Sequence, residues 1–365
     1  MVPTGGMRRI RLDPVLVALV GLVVATLALA ACGHRARDRG PPPRRAFYYW
    51  RTTFTQSPAE RRALTELGVT RLYVRMFDVE WSPALSAPST VGPINAGTPA
   101  PDLTGLEVVP VVYLRNQVFQ QLAAERTDEA ARFVWNEVGQ RAAALGVELH
   151  ELQLDCDWTD STRDRFFAFI EATRRLAEPR GVALSATIRL HQIKYRERTG
   201  VPPVERGMLM FYNMGKFSAD PEARAIFDAA SARPYLDRIA DYPLPLDAAL
   251  PIWSWTLLLR DDVVEGLLQS TDPDELPKLD FLRPLDGGRF QVARSAFLHG
   301  TLLRKDDILK IEVTGPEETL AAARMLAPHL ATATTARTIA LFDLSERNLK
   351  RHATDDLDHV FRTVR

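Results

Sequence analysis

Two aspartates two residues apart carry the strongest chemical signal in this 365-residue chain: Asp155 and Asp157, in the run His150-Glu151-Leu152-Gln153-Leu154-Asp155-Cys156-Asp157-Trp158-Thr159. Polar and apolar residues alternate here as in a strand, so Gln153, Asp155 and Asp157 share one face and Leu152, Leu154 and Cys156 the other. That spacing sets the two acids roughly 6–7 Å apart at Cα. Enclosed together, they raise at least one pKa through repulsion and lost hydration, which suits acid–base catalysis. The alternative is a pair neutralised by an interior arginine, Arg189 or Arg75.

Other candidates sit where strands are expected to end. Arg189 could clamp a carboxylate or phosphate, or pair with Asp157, and pairing is the preferred role. His191 follows as a general base or a plain hydrogen-bonding loop residue. Asp78 and Glu80 offer two further carboxylates, and Asp343 a third. Glycosidases need a carboxyl pair about 5–5.5 or 6.5–9.5 Å apart. Tyr212 and Asn213 are polar groups at another strand end. Among the aromatics, Trp158 and Trp255 are expected to be exposed as stacking surfaces for a sugar ring, while Tyr49, Trp50, Tyr113 and Trp253 are expected to pack in the core.

Positioning these residues calls for a particular scaffold. Eight β-branched and aromatic runs read as strands: Phe47 to Arg51, Arg71 to Phe77, Glu107 to Tyr113, Glu151 to Asp157, Ala183 to Arg189, Met208 to Asn213, Ala249 to Trp255 and Thr338 to Asp343. Helical patterns alternate with them over Ser57 to Leu67, Thr127 to Leu145, Thr159 to Leu176 and Pro316 to Leu330. Eight strands with helical crossovers predict an α/β fold, a single (β/α)8 TIM barrel over 46–365. Ser82 to Thr104 reads as a long loop. The region after the seventh strand, about 256–313, reads as an insertion, with Phe290 to Leu298 and Ile308 to Val313 as extra strands. Such βα loops lie on the carboxyl-end face, where sites are built.

Leu-Asp-Cys-Asp-Trp-Thr on the fourth strand resembles the Asp-x-x-Asp-x-Asp-x-Glu motif of glycoside hydrolase family 18. Asp155 and Asp157 match its second and third acids, while Leu152 replaces the first and Thr159 replaces the glutamate. Met210-Phe211-Tyr212-Asn213-Met214-Gly215 resembles the same family's sixth-strand segment, which implies that Tyr212 and Asn213 face substrate. The resemblance implies a barrel of the sugar-active kind in which Asp157 orients substrate. It also implies that the family's proton donor is missing, leaving Asp78 or Glu80 as a substitute acid.

The first residues read as targeting sequence. Arg8, Arg9 and Arg11 precede an uncharged apolar run, Val15 to Ala31. Leu29-Ala30-Ala31-Cys32 resembles the lipobox of bacterial lipoproteins, which implies cleavage of a signal peptide, 1–31, and acylation of Cys32 with fatty acids such as palmitate. Residues 32–45, rich in Arg and Pro, read as a tether. Gly33 in place of an aspartate leans towards the outer over the inner membrane. With Cys32 acylated, only Cys156 remains, so no disulfide forms within the chain.

The chain has 46 basic and 46 acidic residues, a balance that supplies no basic field for nucleic acid. Zinc signatures, a Gly-rich phosphate loop and a nucleophile elbow are absent, so no metal or cofactor is expected. Two functions remain open: a membrane-anchored glycoside hydrolase acting through strand-end carboxylates, or a degenerate barrel that binds a carbohydrate or serves envelope assembly without catalysis.

Overall fold

The computed structural model describes residues 41–268, 271–330 and 336–364. Eight parallel strands form the barrel: β1 (Arg44–Tyr49), β2 (Arg71–Ser82), β3 (Glu107–Leu114), β4 (Glu151–Asp155), β5 (Ala183–Arg189), β6 (Arg206–Met210), β7 (Leu246–Pro251) and β8 (Thr338–Phe342). Each pairs with its neighbour in sequence order, and β1 pairs with both β8 and β2, so the sheet closes. All eight expected strands are present in the expected order. β7 starts and ends earlier than its sequence pattern suggested, because its last expected residues belong to another sheet. Arg44 and Arg45, read as tether, open β1 opposite Thr338 and Ile339. Cys32 and the apolar run before it lie outside the described residues.

Alternation along the strands divides the apolar residues into two clusters. Leu152, Leu154 and Cys156 join a large core beneath the helices, and Ala46, Tyr48, Tyr73, Val111, Met208 and Met210 fill the barrel interior. In β2 the register shifts between Arg75 and Phe77. Met76 and Phe77 both join the outer core there, and this bulge returns Asp78 to the interior face.

The helices carry local start and stop signals. Ser57 caps Pro58–Glu66 in a reciprocal pair with Glu60, and Gly146, at φ 66°, ends Thr127–Leu145. The next helix begins at Arg163, not Thr159, since the Thr159 amide donates to Thr162 Oγ1 in a preceding turn. Pro316–Leu326 is shorter than expected and runs into a 3₁₀ turn containing Pro328.

Between β7 and β8 stands a five-stranded antiparallel sheet, in the order Val263–Leu267, Ser254–Arg260, Ile308–Val313, Arg289–Val292, Leu282–Leu285. It has its own core, including Leu258, Leu276, Val292, Leu303 and Leu309. The stretch after β2 is not only loop: Ala87–Val91 folds back antiparallel on β2. Among the described residues, no helix is long and apolar enough to cross a membrane.

Candidate functional site

At the carboxyl end of the barrel a cleft of about 280 Å³ is lined by Asp157, Arg189, Leu190, His191, Tyr212, Asn213, Met214 and Tyr235. Five residues picked out from sequence therefore meet in one place: Asp157, Arg189, His191, Tyr212 and Asn213. They arrive from the ends of β4, β5 and β6, and the helix Ala229–Leu236 supplies Tyr235.

Arg189 organises the floor. Its Nε donates to Asp157 Oδ1 at 2.5 Å and its Nη2 to Asp155 Oδ1 at 3.2 Å. Asp155 lies just below, its side chain 4% exposed, and also accepts from Thr187 Oγ1 at 2.6 Å. Burial pushes the Asp155 carboxyl above the usual range, the Arg189 charge opposes that shift, and Asp157 adds to it. Asp157 is half exposed and opens on the cleft. Of the two arginines weighed as partners, Arg189 takes the pair, and Arg75 instead binds Asp78 at 2.7 Å and the Gly92 carbonyl. Below Asp155, Gln153 accepts from Tyr48 Oη at 2.5 Å.

The cleft walls are less charged. Burial lowers the His191 pKa, with Asp157 opposing, which keeps the imidazole neutral at neutral pH. Burial raises the Tyr212 phenol, which therefore stays protonated, and its ring meets Trp253 edge-to-face at 4.7 Å. Tyr113 is pushed up to about 12 by burial and by Asp157. Asn213 holds a left-handed backbone, φ 54°, where the chain leaves β6.

The remaining candidates lie elsewhere. Asp78 stands level with Asp155 across Tyr113, so their backbones are two strand spacings, roughly 10 Å, apart. Asp78 is bound to Arg75, and Glu80 to Arg115 at 2.7 Å. Burial raises Asp343 to about 6, and its Oδ1 accepts from Asn348 Nδ2 at 2.5 Å. None of these three lines the cleft.

Trp158 is fully buried, contrary to its expected exposure. The parity that puts Asp155 and Asp157 inside puts Trp158 outside, under the helices, where it stacks on Phe166 and donates to the Thr199 carbonyl at 2.8 Å. Trp255, also expected to be exposed, is half-buried in the inserted sheet, not at a β7 end, and its indole N–H reaches Glu312 Oε2 at 3.1 Å. Thr159, at the position of the missing glutamate, is exposed and contacts Ser161 and Thr162.

Tyr235, Met214 and Leu190 escaped sequence reasoning. The helix with Tyr235 follows a long irregular segment and contains Pro234, so its periodic signal is weak. Met214 does lie inside the sixth-strand motif, but nothing in its type marks it as a wall residue.

No family's sequence pattern matches this chain, and no curated protein sequence does. Solved structures do share its fold. The spore cortex-lytic enzyme SleL of Bacillus megaterium QM B1551 superposes with a TM-score of 0.53 at 11% identity, covering 87% of this chain and 74% of that one. A chitinase from Chromobacterium violaceum ATCC 12472 gives 0.51 at 12% identity, over 88% of this chain and 98% of that one. The chitinase-like agglutinin of Robinia pseudoacacia gives 0.51 at 11%, over 88% and 99%. In fold, the chain is a (β/α)8 barrel of the type that these three structures share.

Proposed function

We propose that the protein is a lipid-anchored, glycan-binding barrel that holds a sugar chain without cleaving it. One observation carries the reading: the cleft is lined by a single carboxylate, Asp157, and that carboxylate is tied to Arg189. Glycoside hydrolysis needs a second carboxyl on the scissile oxygen. Asp155 is enclosed beneath the cleft floor and held by Arg189 and Thr187; Asp78, Glu80 and Asp343 are each bound to another residue away from the cleft, and Thr159 cannot donate as a glutamic acid does.

What the cleft offers is recognition. Asp157 accepts from sugar hydroxyls, Asn213 both donates and accepts, and Tyr235 presents ring surface to an apolar sugar face. Two of the structural neighbours, a chitinase and a chitinase-like agglutinin, are in keeping with a carbohydrate ligand. Acylation at Cys32 would place this barrel at the cell envelope, on the outer membrane in preference to the inner.

The test is a glycan array alongside a reducing-end release assay on the full chain in detergent, for wild type and Asp157→Asn. Binding without release in the wild type, weakened in the variant, is the expected result. Release that disappears in Asp157→Asn would overturn it in favour of a hydrolase. Anchoring is tested separately, through incorporation of labelled palmitate that Cys32→Ser abolishes.

A further inference from the structure

The strand Ile308–Val313 places Lys310 and Glu312 on one face, and both side chains are buried, at 0% and 2% exposure. Lys310 Nζ donates to three main-chain carbonyls, those of Ser218 at 3.2 Å, Asp220 at 2.8 Å and Ala223 at 2.7 Å. An ammonium has three N–H bonds, and these carbonyls use all of them. Glu312 Oε1 lies 3.2 Å from the same nitrogen, and Glu312 Oε2 accepts from the Ala225 amide at 2.8 Å. Carbonyl oxygens and a carboxylate gathered on one cation are the surroundings that hard metal ions receive in proteins. Here a side chain occupies the centre.

All of the main-chain groups involved belong to residues 213–228, a stretch without regular secondary structure between β6 and Ala229–Leu236. Long segments of that kind need something to hold them. Its two ends are laced together by Asn213 N to the Ile226 carbonyl at 2.8 Å and Gly215 N to the Ala225 carbonyl at 3.3 Å. The approach at Gly215 is so close that a Cβ would lie 2.3 Å from the Arg224 carbonyl oxygen. Phe217, from the same stretch, packs on Trp255 at 5.1 Å. The lacing ends at Asn213 and Met214, which line the cleft.

We propose that Lys310 is a positioning residue for the cleft, its ammonium serving as a built-in cation that folds residues 213–228 against the inserted sheet and so fixes Asn213 and Met214 as one wall. The inserted sheet thereby shapes the site without reaching into it. Only the affinity readout rests on the glycan-binding proposal; the structural readout is independent of it.

The experiment uses the full chain with Lys310→Ala, which removes the equivalent of n-propylammonium. Hydrogen exchange across 213–228 is expected to accelerate about tenfold or more while amides of β3 to β5 keep their protection. Added n-propylammonium restores protection, and n-propanol, of similar shape and no charge, does not. Glycan affinity follows the same pattern. Unchanged exchange in 213–228, equal rescue by propanol, or equal loss of protection in the barrel strands would each overturn the proposal. Should Lys310→Ala fail to fold, Glu312→Gln keeps the shape and removes the countercharge. Faster exchange confined to 213–228 is then expected, and unchanged exchange overturns the proposal. A wild type that binds no glycan refutes the proposed function and leaves the exchange result to judge Lys310.

Discussion

Opposite ends of the same barrel interior hold arginine–carboxylate clusters built from the same residue types, with opposite fates. At the amino end Arg71 reaches Glu151 at 2.9 Å and Glu107 at 2.6 Å, and Glu151 also accepts from Ser185 Oγ at 2.5 Å. Nearby, Asp247 pairs with Arg206 at 3.4 Å and accepts from the Thr338 amide at 2.6 Å. At the carboxyl end Arg189 bridges Asp155 and Asp157, but Asp157 keeps one side open to a cleft. Access separates Glu151 from Asp157: both oxygens of the buried Glu151 have protein partners, whereas the half-exposed Asp157 has a partner position left for a ligand. Buried ion pairs of the first kind cost much when broken, since each surviving charge is stranded.

The contrast can be broken most forcibly from the amino end. Arg71→Met strands Glu151 and is expected to lower stability by about 3–5 kcal/mol, read by urea unfolding, while the folded fraction binds glycan as wild type does. Asp247 comes next. Burial raises it to about 6 from 3.8, so the stability it contributes is full at pH below 4 and is lost as pH rises through 6. That loss is about 3 kcal/mol by linkage, and Asp247→Asn should flatten the fall in unfolding free energy measured from pH 4 to 7. At the open cluster the effect moves from stability to binding. Asp157→Asn is expected to weaken glycan binding about tenfold by calorimetry, with stability changed by less than about 1 kcal/mol because Asp155 still faces Arg189. Smallest of all is Asp78→Asn, whose carboxylate serves Arg75 away from the cleft. Its glycan affinity should stay within about twofold of wild type on the same instrument.

Period-two alternation made the barrel legible, since strands such as Glu151–Asp155 and Ala183–Arg189 are apolar on the helix side in every turn of the pleat. The same rule brought Asp155, Asp157 and Arg189 together. It fails where tertiary context reverses the usual sense of a charged face. Lys310 and Glu312 alternate with Leu309 and Ile311 as a solvent-facing pair would, and only the loop lying over them makes that face interior. Trp158 is a different case. Its parity points outward, under the helices, and only its aromatic type spoke for exposure. The bulge at Met76 and Phe77 inserts one residue into β2 with no local marker, so the facing of Asp78 was not readable by counting from Arg71.

Parallel strands all begin at one end, and β1 begins at Arg44, only twelve residues after Cys32. The chain therefore enters the barrel through its base, opposite the cleft. Twelve residues reach about 40 Å at full extension. If Cys32 is acylated as proposed, the point of attachment lies on the base side of the barrel and not beside the cleft, so an anchor and a bound ligand would not compete for the same end of the molecule.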